Sequence, residues 1–277
     1  MIALYILSFL VIFIAILLAY ATLIEIKWFE ITEPDLHITG LHPTLDGYRI
    51  VQLSDIHMDS SMTRERLKKI AIMVNDLKPD LIVITGDFVS YEVEYVTEDL
   101  RDALSNFQAK DGVFAVMGNH DHLTGVERVR DILKDIGIQE LENDYVKIEG
   151  DNGYFYLAGV DDLSSQKARL DILLPKIPDD APVILLAHAP DFADVAAATG
   201  RFALQLSGHT HGGQVQIPYI GTLYGPEHGH VYQDGLYDVG NGLQVYVSRG
   251  VGTVTLPIRF NCRPEITHIT LSSANKN

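Results

Sequence analysis

Eight side chains in this sequence have the types and spacing to do chemistry. They sit in five short blocks: Ser54-Asp55-Ile56-His57, Gly86-Asp87, Gly118-Asn119-His120-Asp121, His188, and Gly208-His209-Thr210-His211. Aspartate, asparagine and histidine form an oxygen-and-imidazole donor set, which suits Mn, Zn, Fe or Mg rather than thiophilic metals. The donors are too many for one ion. Asp55, His57, Asp87, Asn119, His188, His209 and His211 supply two divalent centres if one carboxylate bridges. Paired ions activate water, orient a phosphoryl group and stabilise charge during in-line displacement. Asn119 adds a donor without adding charge. His120 stands beside it, and an imidazole near its ordinary pKa can protonate a leaving alkoxide. Taken singly, any of these residues is an ordinary turn or cap. Together they define a phosphate-ester site.

The surroundings predict how they meet. Each block follows an apolar run: residues 50–53, 81–85, 113–117, 183–187 and 203–207. Such runs are buried strands, and open α/β sheets collect their chemistry at carboxyl strand ends. In Asp55-x-His57 and His209-x-His211, residues i and i+2 share a face if the backbone stays extended. The glycine before Asp87 permits a tight turn.

Between the runs lie helical patterns. Residues 63–77 place Leu67, Ile70, Ala71, Val74 and Leu77 on one side, and residues 97–107 do the same with Leu100, Leu104 and Phe107. A third helix is expected over 125–136. Strand–helix–strand repeats imply parallel pairing. Residues 145–160 read as two strands joined at Gly150-Asp151-Asn152-Gly153, and 170–174 is weakly helical. Beyond Gly212 no helical period is visible. That part reads as a β layer, clearest at 245–248 and 266–271, with one long loop over 212–242.

Composition narrows the class. A chain of 277 residues with 47% hydrophobic content can bury one large core. A formal charge of -16 argues against nucleic-acid partners, while bound metal ions still allow an anionic substrate. The single Cys262 excludes an intramolecular disulfide and any thiolate-built zinc site. Residues 2–24 are uncharged and long enough to span a bilayer, with Tyr20, Glu25, Lys27 and Trp28 at one interface. A single-pass anchor is the first expectation; a cleaved signal peptide and a buried helix are the alternatives. The expected organisation is an anchor over 1–25, a lead-in segment over 26–47, a catalytic domain over 48–272 and a tail over 273–277.

The five blocks together resemble the calcineurin-like metallophosphoesterases. The resemblance covers residues 48–271 and implies an α/β fold, a four-layer α/β/β/α sandwich, behind one N-terminal transmembrane helix. By motif match it implies Asp55, His57 and His211 at one metal, Asn119, His188 and His209 at the other, Asp87 as bridge and His120 as acid. Attack by a metal-bound hydroxide would follow, with manganese the first expectation for the ions. In the protein Ser/Thr phosphatase branch the second block continues Val-Asp-Arg-Gly. Here it runs Phe88-Val89-Ser90-Tyr91-Glu92, and the missing arginine argues against phosphoprotein substrates. The membrane-anchored bacterial branch, similar to UDP-2,3-diacylglucosamine pyrophosphohydrolases, is the nearer resemblance. It makes a lipid or envelope phosphoester the narrower expectation. A nucleotide phosphodiesterase and a catalytically silent membrane scaffold are the alternatives.

Other residues carry weaker expectations. Arg249, before Gly250-Val251-Gly252, is either a phosphate clamp with glycines admitting a ligand or a surface arginine. Arg259 and Arg263 are weaker clamps. His228 and His230 have ligand-like spacing outside the blocks, and His122 suits the wall of the site. Tyr219, Tyr224, Tyr232 and Tyr237 are expected to pack the β layer.

Overall fold

Strands form where apolar residues point to both faces. In residues 48–53, Ile50 joins one core while Val51 and Leu53 join another. In residues 81–85, Val83 lies on the first side and Ile82 and Ile84 on the second. Strands apolar on both faces belong in a sheet covered on both sides. The computed structural model describes residues 1–91, 93–150, 152–222 and 225–274. Glu92, Asp151 of the expected turn, Tyr224 and the tail beyond Ala274 lie outside the described residues.

The chain opens with α1 (Ile2–Ala19), which buries no side chain. It continues through a wide turn, Tyr20–Ile24, and a tight one, Glu25–Lys27. An 18-residue window of the run Ile2–Lys27 reaches a mean hydropathy of 3.0, and the run is apolar and long enough to cross a membrane. Six strands follow: β1 (Glu30–Thr32), β2 (Asp35–Ile38), β3 (Tyr48–Leu53), β4 (Leu81–Thr85), β5 (Val113–Val116) and β6 (Gln139–Glu140). Then come β7 (Asp144–Glu149), β8 (Tyr154–Gly159), β9 (Val183–Leu186), β10 (Leu204–Ser207), β11 (Gln216–Ile217), β12 (Gly221–Thr222), β13 (Gly235–Gly240) and β14 (Leu243–Val247). The last strand, β15 (Glu265–Ser273), returns to the first sheet.

The first sheet has the order β1-β15-β3-β4-β5-β6, with β2 also on β15. β3, β4, β5 and β6 run parallel, and β15 lies antiparallel to β3. The second sheet runs β13-β14-β10-β9-β8-β7, parallel from β8 through β14 and antiparallel at both edges. Ile50, Val83, Val116, Leu157, Ile184, Leu206 and Ile269 fill the space between the sheets.

Helices cover the outer faces. The helices α2 (Arg64–Asp76), α3 (Thr97–Leu104) and, after the short α4 (Asn119–Thr124), α5 (Val126–Asp135) put Leu67, Ile70, Leu100 and Ile132 on the first sheet. Beyond the short α6 (Leu170–Leu173), α7 (Phe192–Thr199) puts Phe192, Ala193 and Ala196 on the second. The result is the α/β/β/α sandwich.

The differences from expectation are local. The helix α7 is short and rich in alanine, so it shows little periodicity in the sequence. The expected loop over 212–242 is broken up by the hairpin β11–β12 and by β13, whose side chains alternate between half-buried and exposed. The lead-in strands β1 and β2 are hydrogen-bonded into the first sheet through β15.

Candidate metal centre

All five blocks leave the carboxyl ends of parallel strands: β3, β4, β5, β9 and β10. The backbones after β3 and β4 are zipped together. Asp55 N donates to Gly86 O at 3.0 Å, His57 N to Asp87 O at 3.0 Å, and Met58 N to Phe88 O at 2.8 Å. These residues are not extended, as the i, i+2 spacing suggested. Asp55 (φ 53°), His57 (49°), Asp87 (57°), His209 (71°) and His211 (54°) all lie in the left-handed region. Non-glycine residues rarely go there, and each such residue costs about 1–3 kcal/mol unless its surroundings hold it. Here the zipped backbone holds it, and the twisted turns aim the side chains at one point.

Asp121 supplies a second brace. Its carboxylate accepts N–H donors from Gly118 (2.9 Å), Asp87 (2.9 Å) and Phe88 (2.8 Å). It caps the first turn of α4, which fixes Asn119 and His120 at the end of β5. Burial and the neighbouring Asp87 charge push Asp121 up to about 7, against those donors. Sequence reading assigned Asp121 no role. The available signal was an acidic residue three positions after a glycine at a helix start.

The geometry brings every expected ligand together. Asp87 Oδ2 lies 3.4 Å from His57 Nε2 and 3.3 Å from His188 Nε2. On one side, His57 Nε2 is 3.1 Å from His211 Nε2, which is 3.3 Å from Asp55 Oδ1. On the other, His188 Nε2 is 3.2 Å from Asn119 Oδ1 and 3.0 Å from His209 Nδ1. The triplets Asp55/His57/His211 and Asp87/His188/His209 each hold ligand atoms within 4.8 Å of one another. A third triplet, His57/Asp87/His120, includes His120. Its backbone N–H donates to Asp87 Oδ1 at 2.9 Å, and its ring stands edge-on to His57, 4.8 Å between centroids.

The tautomers of two histidines follow from their outer partners. His188 Nδ1 is 2.7 Å from Thr85 O, and His209 Nε2 is 2.7 Å from Glu227 O. A carbonyl only accepts, so those nitrogens carry the protons. The facing nitrogens, 3.0 Å apart, then need a proton or a metal ion between them, and an outer ring nitrogen bonded to a carbonyl is how metal-binding histidines are usually oriented. Among the described residues, the buried Nδ1 atoms of His57 and His211 have no hydrogen-bond partner.

The field in the site favours cations. Burial opposes ionisation of Asp87, yet the His188 and His57 imidazoles hold its carboxyl well below the usual range. Burial would lower His188, but the Asp87 charge pushes it up to about 10. His57 is raised for the same reason, Asp87 outweighing burial. His211 goes the other way, well below its ordinary value, through burial and the neighbouring His57 and Arg259.

Glycines let the strand ends close up. A Cβ on Gly118 would overlap Asp87 Oδ1, and one on Gly208 would overlap Ser54 Oγ and Asp55 Oδ2. In Gly250-Val251-Gly252 the close neighbours are the Asp55 side chain, at Gly250, and the Asp55 and Ile56 carbonyls, at Gly252. Val251 N donates to Ser54 O at 3.0 Å and Gly252 N to Asp55 O at 2.8 Å.

The weaker candidates have other work. Arg249 is neither a surface residue nor a phosphate clamp: it pairs with Glu265 at 2.9 Å and Glu30 at 3.0 Å. Arg259 is fully buried and donates to the carbonyls of Arg249 (2.7 Å), Gly252 (2.7 Å), Cys262 (3.1 Å) and His211 (3.4 Å). Arg263 lies 3.6 Å over the Trp28 ring. His122 bonds Asp161 at 2.6 Å. His228 and His230 belong to none of the triplets found among the described residues. Tyr232 and Tyr237 pack together, with ring centroids 5.2 Å apart, while Tyr219 is fully exposed.

Comparison with known proteins shows the family. The family model for calcineurin-like phosphoesterases matches residues 48–213, more than half of the chain. The chain belongs to this family of metal-dependent phosphoric ester hydrolases. It is 36% identical over 259 residues to the uncharacterised metallophosphoesterase YkuE of Bacillus subtilis, covering 92% of this chain and 90% of that one. It is 31% identical over 250 residues to the phosphodiesterase YaeI of Escherichia coli, covering 89% and 90%. A zebrafish (Danio rerio) transmembrane protein with a metallophosphoesterase domain is 34% identical over 258 residues. That match covers 88% of this chain and 58% of the relative.

Proposed function

We propose that this protein is a membrane-anchored phosphoesterase with a dinuclear centre, acting on a phosphodiester, phosphomonoester or pyrophosphate. The observation that carries the reading is the convergence of Asp87 Oδ2, His188 Nε2 and His209 Nδ1 on one point, with the outer nitrogen of each ring committed to a carbonyl. Asp55, His57 and His211 would hold one divalent ion, Asn119, His188 and His209 the other, and Asp87 would bridge. The ions, when bound, lower the pKa of water and neutralise charge on the phosphoryl group. The remaining chemistry belongs to the chain. Thr85 O and Glu227 O keep His188 and His209 in the required tautomers. Asp121 holds the Asp87 and His120 backbones in register. The His120 ring is half-buried, which lowers its pKa from the ordinary value, and it carries no hydrogen bond among the described residues, so it is placed to stabilise the transition state or, once charged beside the reacting phosphoryl group, to protonate the leaving oxygen.

YaeI is named a phosphodiesterase, which favours a diester among the possible substrates. The Ile2–Lys27 run, as a single-pass anchor, favours a lipid or envelope substrate. A full set of donors favours an enzyme over a silent scaffold. Manganese is the first metal to try.

The test is hydrolysis of bis-p-nitrophenyl phosphate and p-nitrophenyl phosphate by metal-stripped protein titrated with Mn, Zn and Mg. Metal-dependent turnover, faster on the diester, is expected. No turnover with any of the metals would defeat the proposal.

A further inference from the structure

The end of the α1 run is built into the catalytic unit at one place. Ala21, Glu25 and Ile26 are buried although the rest of the run is not. Ala21 O accepts from Arg259 N at 3.1 Å, and Glu25 Oε1 accepts from Cys262 N at 2.6 Å. The Tyr20 ring stands edge-on to Phe260, and Ile26 O accepts from Arg66. Arg263 covers the Trp28 ring. The run therefore enters the fold at a fixed angle, through segment 259–263.

That segment is also the root of an apolar rim. Phe260 is bonded on both sides: its N donates to Gln214 O and its O accepts from Gln216 N, each at 2.9 Å. Gln214 in turn bonds Val254 twice, at 2.6 and 3.1 Å. Gly213, Val215, Val254, Leu256 and Ile258 line one open cavity of about 440 Å³. Leu256 (61% exposed), Tyr219 (fully exposed) and Ile220 (69%) project from these two segments into solvent. Leu256 is three residues from Arg259, so it lies within about 10 Å of the Arg259 backbone that holds Ala21. Gly213 is two residues from His211.

We propose that this rim, Tyr219, Ile220 and Leu256 above the Val254–Ile258 cavity, docks into the interface of the bilayer that holds α1. The proposal rests on the reading of α1 as a membrane anchor. Three points favour a bilayer as the occupant. The rim is continuous with the end of the run. Its residues are large apolar or aromatic ones, which suit the headgroup boundary. It is also tied to the run by backbone hydrogen bonds, so inserting the run brings the rim to a set depth. A formal charge of -16 gives no general attraction to anionic lipid, so zwitterionic lipid is sufficient.

Trp28 is the only tryptophan in the chain, which makes the test direct. The full chain is reconstituted in phosphatidylcholine vesicles with brominated acyl chains, in two forms: the native chain, and Trp28→Phe combined with Leu256→Trp. Quenching of Trp28 reports insertion of the run, and quenching at position 256 reports docking of the rim. At least a twofold loss of emission at both positions is expected. Quenching at Trp28 alone would overturn the docking while leaving the anchor standing. Quenching at neither would overturn both. Near-ultraviolet circular dichroism of the double variant, matching the native chain, would show that the substitution has not unfolded it.

Discussion

His188 Nε2 and His209 Nδ1 face each other at 3.0 Å, each with its other ring nitrogen committed to a backbone carbonyl. The fold aims the two inner nitrogens at one point, where a proton or a metal ion joins them. The carbonyl of Glu227 belongs to a loop remote in sequence from His209, so the loop takes part in the centre through one hydrogen bond.

His120 can be separated from the ligands. His120→Asn should lower kcat by about 10²–10⁴-fold, the usual contribution of a general acid. The number of bound ions should stay the same. A parallel fall in metal content would make His120 a ligand instead, as its place in the His57/Asp87/His120 triplet allows.

Gly208→Ala tests the close approach beneath Asp55. The added Cβ overlaps Ser54 Oγ and Asp55 Oδ2. Overpacking of this kind costs about 1–3 kcal/mol. Because the strain falls on a ligand, metal affinity should drop by at least about 10-fold. Isothermal titration of stripped protein would measure it.

The strand ends were legible because short apolar runs broken by Gly, Asp and His leave few other readings. The left-handed backbone of Asp55, His57, Asp87, His209 and His211 was not. Nothing in those residue types requires a positive φ; at Asp55, His57 and Asp87 it accompanies the zipping of the turns after β3 and β4. The helix α7 was hidden by its alanines, and β13 by the glycines around it. The role of β15 was hidden for another reason. Its insertion between β1 and β3 is a long-range pairing that no local pattern records. Arg249 looked exposed because its partners, Glu30 and Glu265, are far from it in sequence.

Glu265 gives a prediction about pH. It is buried, and burial opposes its ionisation. Arg249, at 2.9 Å, and the hydroxyls of Thr32 and Tyr246 hold its carboxyl below the usual range nonetheless. A depressed carboxyl contributes stability in full above its unfolded pKa, about 4.3. The contribution is lost as pH falls through the lower, folded value. Glu265→Gln should therefore cost about 1.5–3 kcal/mol near neutral pH, since it removes the charged partner of Arg249 Nε and leaves Glu30 as the guanidinium's carboxylate. The difference from the native chain should shrink below about pH 4. Denaturant unfolding at pH 7 and in acid would show both.

Arg259→Lys should also destabilise the protein, by about 3 kcal/mol. A lysine has three donors at one point and cannot satisfy the Arg249, Gly252, Cys262 and His211 carbonyls that Arg259 serves. The same measurement applies, and an unchanged midpoint would mean that other donors replace the guanidinium.

The central claim is a two-ion centre bridged by Asp87. Its most direct test is the metal content of the purified chain beside Asp87→Asn, by elemental analysis after saturation and desalting. The account predicts two divalent ions per native chain, and one or none in the variant with turnover at least about 100-fold lower. A native chain that retains no ion, or a variant that keeps both ions and full activity, would contradict it.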